Sequence, residues 1–490
     1  MQQRMTLFRG GSVPVLAAGD GRIAAVGDEA LASDAARVVE LRGEVLPGLT
    51  DSHLHLGWLA LNRLGVDLAG CATRAEALER IRRYAATLPQ DAWVHGSGWY
   101  NDAWTDAAGF PDRSLLDAAA GGRPALLARK DGHSTWVSSA ALAAAGVDAS
   151  TADPEGGVID RDPDGRPTGI LRENASELIR AIVPPPDDRV LDDAMETALA
   201  ELTALGLTGV HSMDQPSHFR SMQRLHRRGR LPLRITYNIP VATLDAAERL
   251  GLQSGLGDEW LRIWGVKAFL DGSLGSRTAD MLDGTGVAMY EPDELSEVAR
   301  RCAAARLNVC WHAIGDRAVR RAVDALAPLA GAWERWRPRI EHAQCVRPED
   351  VERMARAGVV ASMQPIHAVA DRDLVDREWV EVAPCAYAFR TLRDAGVALA
   401  FGSDAPVETA DPLAGIAAAS SWREDAGWHP ELAISRRAAI QAYTEGAAYA
   451  VGLERELGRI EPGRWCDLTV VDQGRITATI VAGEVRRRPE

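Results

Sequence analysis

An α/β fold is what this 490-residue sequence predicts: a (β/α)8 TIM-like barrel with a small β-sandwich built from both chain ends and a large insertion after the first barrel strand. Three observations predict it. Short apolar runs recur ahead of helix-like stretches rich in Ala, Leu, Arg and Glu, the rhythm of βα units around a parallel sheet. The two ends share strand-and-turn chemistry. One connection between apolar runs is far longer than a βα loop.

In chain order, residues 1–48 alternate apolar runs with Gly and Asp turns, as in RIAAVGD from Arg22 and ARVVELRGEVLPG from Ala36, which predicts a small β module. The first barrel strand is the run ending at His55. Roughly 150 residues separate it from the next, whereas the other strands are spaced about 20 to 45 residues apart, so the gap is far beyond a normal βα connection. Within that gap, 70–185 is expected to form an inserted, substrate-facing subdomain, holding HGSGWYNDAW from His95 and DPEGGVIDRDPDGRPTGILRE from Asp153. The further strands expected are Leu207–Met213, Leu233–Pro240, Ile263–Leu270, Leu307–His312, Arg339–Ala343, Val359–Met363 and Val397–Ser403. The segment GRIEPGRWCDLTVVDQGRITATIVAGEVRR from Gly458 resumes the character of the first module. Residues 1–48 and 455–490 are therefore read as one composite β-sandwich domain, and 49–454 as the barrel.

Composition narrows the function. The chain is 46% hydrophobic and 25% charged, enough apolar surface for a large core. Its net charge of −14, with no basic stripe, argues against nucleic acid as a partner, and no run approaches the length of a membrane span. The opening MQQRMTLFRGG lacks the apolar run of a signal peptide, and six cysteines are scattered without CxxC pairs. A reducing, cytoplasmic setting and a small-molecule substrate are the expectations.

The chemistry starts at Asp51-Ser52-His53-Leu54-His55. Residues i and i+2 on a strand project to the same face, so His53 and His55 can grip one ion. A single HxH is weak evidence, since such histidines are often satisfied polar groups. Other runs also end in polar residues: Lys267 in GVKAFLDGS, His312 in CWHAIGD, His342 in IEHAQ and Asp404 in FGSDAPV. Side chains at the carboxyl ends of barrel strands converge on one pocket, so residues far apart in sequence become neighbours.

These motifs resemble the amidohydrolase superfamily, within it the amidohydrolase 3 branch with its YtcJ-like proteins and N-substituted formamide deformylases. LPGLTDSHLH matches the first-strand motif, VKAFLDGSLGSRTA the fourth, HAIGD the fifth, RIEHAQ the sixth and GSDAPV the eighth, and IEPGRWCDLTVVD resembles the returning segment of its β module. The resemblance implies a hydrolase that cleaves a C–N bond of amide, N-acyl or N-formyl type, with one or two divalent metal ions, zinc foremost, and a homodimer by family habit. It implies that His53 and His55 hold the more buried ion, His312 and His342 the more exposed one, and a carboxylated Lys267 bridges them. A carbamate presents two anionic oxygens where an ammonium has no lone pair. The other reading of Lys267 is a free lysine in a salt bridge, leaving a mononuclear site. Asp404 is implied as a further metal contact and as the general base; its alternative is a turn-forming Asp before Ala-Pro.

The remaining candidates lie mostly in the insertion. His133 in KDGHSTW is a candidate proton donor to the scissile carbonyl, or a turn cap. Glu173 is expected near a metal or a substrate amine, or as a solvated helix residue. Arg277 in GSLGSRTA is a candidate anchor for an anionic group, or half of a structural ion pair. His367 in MQPIH lies close enough to a strand end to line the pocket without a metal role, and His211 ends a strand without one. Of 14 tryptophans, Trp58, Trp99, Trp104 and Trp311 are candidates for an apolar pocket wall. A deaminase, an ester or lactone hydrolase, and a non-catalytic barrel stay open as alternatives, because a fold does not choose the leaving group.

Overall fold

The computed structural model describes residues 5–33 and 35–487; residues 1–4, 34 and 488–490, which fall in the segments expected to form the composite β module, lie outside the described residues. The chain forms two compact units: Met1–Gly57, Met195–Leu270 and Tyr290–Glu490 make the first, and Trp58–Ala194 with Asp271–Met289 the second.

The first unit holds an eight-stranded parallel sheet: β1 (Leu49–Leu54), β2 (Leu207–Ser212), β3 (Arg234–Pro240), β4 (Leu261–Phe269), β5 (Asn308–Ala313), β6 (Arg339–His342), β7 (Val360–Met363) and β8 (Ala398–Phe401). Sheet order follows chain order, so all eight apolar runs expected to be barrel strands are neighbours in sequence and in space. Every residue of β2, β5, β6 and β7 is buried. That is why these strands read as continuous runs: a parallel barrel strand is covered on both faces and has no solvent side to alternate with. Just past the strand ends β1 meets β8, where the Asp404 N–H donates to the His53 carbonyl (2.7 Å) and the His55 N–H to the Ala405 carbonyl (2.8 Å). These bonds bring the first and last strands together and make the sheet a barrel.

Helix starts follow from proline. Pro216, Pro292, Pro348, Pro365 and Pro412 each occupy the first position of the helix they open, where a fixed φ fits and a missing N–H removes no bond. The helix Asp316–Leu326 shows how the outer layer is held: Val319, Ala322, Val323 and Leu326 form a buried stripe at helical spacing.

This unit also holds two four-stranded sheets, one made of N-terminal strands alone and one that joins Glu44–Pro47 to three C-terminal strands. Glu44–Pro47 pairs antiparallel with Leu468–Asp472, and Phe8, Val15 and Ile23 share a core with Leu468, Val470 and Ile480. At the start of β3, buried Arg234 bonds Asp467 through Nε (2.7 Å) and Nη2 (3.0 Å).

The second unit has a six-stranded mixed sheet in the order Gly157–Arg161, Pro167–Glu173, Ser134–Val137, Ala125–Arg129, Val94–Trp99, Val66–Asp67. It is larger than the expected 70–185 insertion: it starts at Trp58 and takes in 271–289, the segment after β4. That segment is tied in by polar contacts, Thr278 Oγ1 donating to Glu173 (2.5 Å) and Ser273 Oγ to Asp131 (3.4 Å).

Candidate metal centre

In the first unit, the carboxyl ends of β1, β4, β5, β6 and β8 deliver His53, His55, Lys267, His312, His342 and Asp404, all but His55 buried. His53 and His55 leave β1 on one side, with their Nε2 atoms 3.3 and 3.2 Å from the same Asp404 Oδ1. Each ring is held through its other nitrogen. His53 Nδ1 donates to Glu341 Oε2 (2.6 Å) and His55 Nδ1 to the Met213 carbonyl (3.0 Å), which aims both Nε2 lone pairs inward. His342 lies with its ring centroid 4.9 Å from that of His53 and 4.5 Å from that of His312.

Two of these residues have unusual backbones. His342 has φ 71° and Asp404 φ 61°, the left-handed region that non-glycine residues seldom adopt. Strict alternation along β6 would put Glu341 and His342 on opposite faces. The turn at His342 instead lets its ring approach His53 while Glu341 also reaches His53.

Among the buried polar atoms around this point that lack a hydrogen-bond partner are His53 Nε2, Lys267 Nζ, His342 Nδ1, His367 Nε2 and Asp404 Oδ1, with Glu341 Oε1 and Arg339 Nε, which meet in an ion pair, behind them. The ligand atoms of His53, His55 and Asp404 lie within 4.8 Å of one another, as do those of His342, His367 and Asp404. Buried imidazole and carboxylate groups without partners are costly unless something binds them, and a divalent cation of the zinc type fits this donor set. Two trios sharing Asp404 have room for one or two ions. His367, expected only to line the pocket, stands at ligand range, its Nε2 3.7 Å from Asp404 Oδ2. It enters from the helix after β7, not from a strand end.

Charge states suit such a cluster. Burial, reinforced by His312, holds the His342 imidazole far below its usual pKa and so neutral. Although burial opposes it, the His53 and His55 imidazoles hold the Asp404 carboxyl well below the usual carboxylate range. Burial lowers Lys267 to about 8 despite nearby Glu341 and Asp404, and its ammonium position lies 4.5 Å from the centroid of the Phe269 ring. Phe269, 42% exposed, also packs by His312, with ring centroids 5.2 Å apart.

Glu341 and Arg339 were not singled out by sequence reasoning. Both are fully buried within β6, and Arg339 Nε contacts Glu341 Oε1 at 2.8 Å. Against burial, Arg339 and His53 keep the Glu341 carboxyl far below its ordinary range. The available signal was an Arg and a Glu two apart inside an otherwise apolar run. His211, given no metal role, accepts from Arg339 Nη1 (3.0 Å).

The second unit places the other candidates. His133 Nδ1 pairs with Glu173 Oε2 (2.7 Å), and Glu173, with φ 50°, is itself held by Thr278 and by Ser276 (3.3 Å). Glu173 is thus a partner of His133 and closes a strand; it is not a solvated helix residue. Arg277 is exposed, with φ 59°. Trp99 is corrected from pocket wall to core: it is 0% exposed, its Nε1 donates to the Leu127 carbonyl (2.8 Å), and it packs on Trp104, Phe110 and Trp136. Trp104 belongs to the same core, Trp311 is buried on β5, and Trp58 is half-buried. No helix among the described residues is long and apolar enough to cross a membrane.

Comparison with known proteins shows the family. A family model described as the amidohydrolase family matches residues 37–484. The YtcJ protein of Bacillus subtilis (strain 168) is 32% identical over 456 residues, covering 88% of this chain and 85% of that protein. The N-substituted formamide deformylase of Arthrobacter pascens is 29% identical over 498 residues, covering 95% and 91%. A solved structure of an uncharacterized metal-dependent hydrolase from Pyrococcus furiosus superposes with a TM-score of 0.75 at 30% identity, covering 96% of this chain and 99% of that one.

Proposed function

The chain belongs to the amidohydrolase family, and from that premise we propose that it hydrolyses the C–N bond of an N-acyl or N-formyl amide bearing an apolar N-substituent. The observation that carries this reading is the convergence of buried, unpartnered imidazole, amine and carboxylate atoms at the ends of the barrel strands. The similarity to an N-substituted formamide deformylase supports the bond type. The half-exposed Phe269 beside His312 supports an apolar substituent.

His53, His55 and Asp404 would hold one divalent ion. His342 would hold a second with His312 and His367. The imidazole-rich set favours zinc. When bound, such an ion supplies the Lewis acidity that brings the pKa of water from about 15.7 towards 7. Asp404, kept ionised, takes a proton from the attacking water and returns it to the departing nitrogen. A bond forms from the water oxygen to the carbonyl carbon as the C–N bond breaks, giving an amine and a carboxylic acid, whose remaining acid proton passes to the amine or to solvent. Lys267 completes the donor set once its neutral Nζ adds to carbon dioxide, forming an N–C bond and releasing a proton. Burial supplies that neutral amine. Six free cysteines, five of them buried, support a reducing, cytoplasmic setting.

The test is direct. Purified, metal-supplemented protein is analysed for metal and assayed on N-alkyl formamides and N-acyl amines, with amine, ammonia and alcohol release followed separately. One to two divalent ions per chain and amine release are expected. Ammonia or alcohol as the sole product would replace this reading with a deaminase or an ester hydrolase.

A further inference from the structure

The two histidines of β1 are held differently. His55 Nδ1 rests on a neutral backbone carbonyl, that of Met213, whereas His53 Nδ1 rests on a carboxylate, Glu341, at 2.6 Å. One oxygen of that carboxylate is hydrogen-bonded, and the other, without a hydrogen bond, is held in an ion pair. Oε1 faces Arg339 Nε at 2.8 Å, and Oε2 takes both the His53 ring and Arg339 Nη2 (3.1 Å). Arg339 is pinned in turn: Nη2 also donates to the Ser52 carbonyl (2.5 Å) and to Ser362 Oγ (2.9 Å), and Nη1 to His211 Nδ1 (3.0 Å). The guanidinium thus touches β1, β2 and β7 from its place on β6, and Glu341 has no freedom to swing towards an ion itself.

We propose that Glu341, clamped by Arg339, is the positioning residue that locks His53 in its Nδ1-protonated form and aims Nε2, and so sets the affinity of the inner metal position without touching the ion. An anionic acceptor on the far nitrogen raises the basicity of a ligating imidazole and fixes its orientation. Loss of such a partner typically weakens metal binding about 10–100-fold. The inference rests on the metal-site reading above and adds to it the residue that holds His53 in place.

The experiment strips the full-length protein of metal and measures zinc affinity by competition with a chromophoric chelator. Wild type, Glu341→Gln and the double variant Arg339→Met/Glu341→Gln are compared, with circular dichroism of each stripped protein recording its fold. The double variant removes the unpaired buried cation that the single change leaves behind. Zinc affinity about 10–100-fold below wild type in a folded variant is the expected result. A folded variant that binds zinc as tightly as wild type overturns the inference while leaving the metal site standing. Wild type that binds no divalent ion overturns both. Should neither variant fold, nitrogen NMR of stripped, 15N-histidine-labelled wild type decides, with His53 assigned by loss of its signal in His53→Asn. A protonated Nδ1 with a free Nε2 supports the clamp, and the reverse tautomer overturns it.

Discussion

Replacing Asp404 by Asn removes the one anion that both β1 histidines approach, and the consequence is specific to turnover. The imidazoles remain to bind metal, whereas an amide cannot accept and return the proton. Asp404→Asn is expected to keep at least one divalent ion per chain by elemental analysis while turnover falls about 10²–10⁴-fold. Lys267 allows a second measurement. Protein equilibrated with 13C-bicarbonate should show a carbamate resonance that grows as pH rises through about 8, because the neutral amine gains population there, and that is missing in Lys267→Arg. If wild type and variant give identical spectra, the lysine is not carboxylated. The sequence made His53, His55, Lys267, His312, His342 and Asp404 visible because each closes an apolar run. Glu341 was hidden, since its meaning lies in His53 and Arg339 meeting it in space, and the left-handed turn at His342 breaks the alternation that would have sorted the two residues.

At the scale of elements, the meeting of β1 and β8 depends on Gly402. A methyl group there would sit 2.5 Å from the His53 backbone nitrogen and 2.6 Å from Asp51 Oδ1, which itself accepts from the His53 N–H (3.0 Å) and the Ser403 N–H (3.1 Å). Gly402→Ala is expected to lower unfolding stability by about 1–3 kcal/mol in chemical denaturation, and to weaken metal retention on dialysis, by prying the two strands apart. Unchanged stability would mean that the seam is looser than this geometry. Strand identity was legible because parallel strands buried on both faces carry short apolar runs without a solvent side to alternate with, and helix starts are marked in sequence by proline. Trp99 was read by residue type as a pocket candidate. Its burial is decided by the strand Val94–Trp99 and by its packing on Trp104, Phe110 and the more distant Trp136, contacts that no local pattern displays.

For the whole molecule, the pairing of Glu44–Pro47 with Leu468–Asp472 and the buried Arg234–Asp467 contact make the C-terminal segment part of the first unit's framework. Asp467→Asn leaves a buried guanidinium without its counter-charge. A loss of about 3–5 kcal/mol is expected from denaturant titration, and a loss below 1 kcal/mol would show the pair to be dispensable. The likeness of the two chain ends was apparent from their turn-and-strand composition, and the insertion from the length of one gap. The membership of 271–289 in the second unit was not, because it hangs on Glu173 meeting Ser276 and Thr278.

The joining of β1 to β8 also orders events during synthesis. Asp404 leaves the ribosome roughly 350 residues after His53, yet the inner trio needs both. A nascent chain therefore exposes histidines over that stretch of elongation without owning a complete chelating site, and loading must wait until the last barrel strand has emerged and docked. Metal uptake in pulse-labelled, ribosome-bound chains should accordingly be a late event, a marker of finished folding that does not guide it.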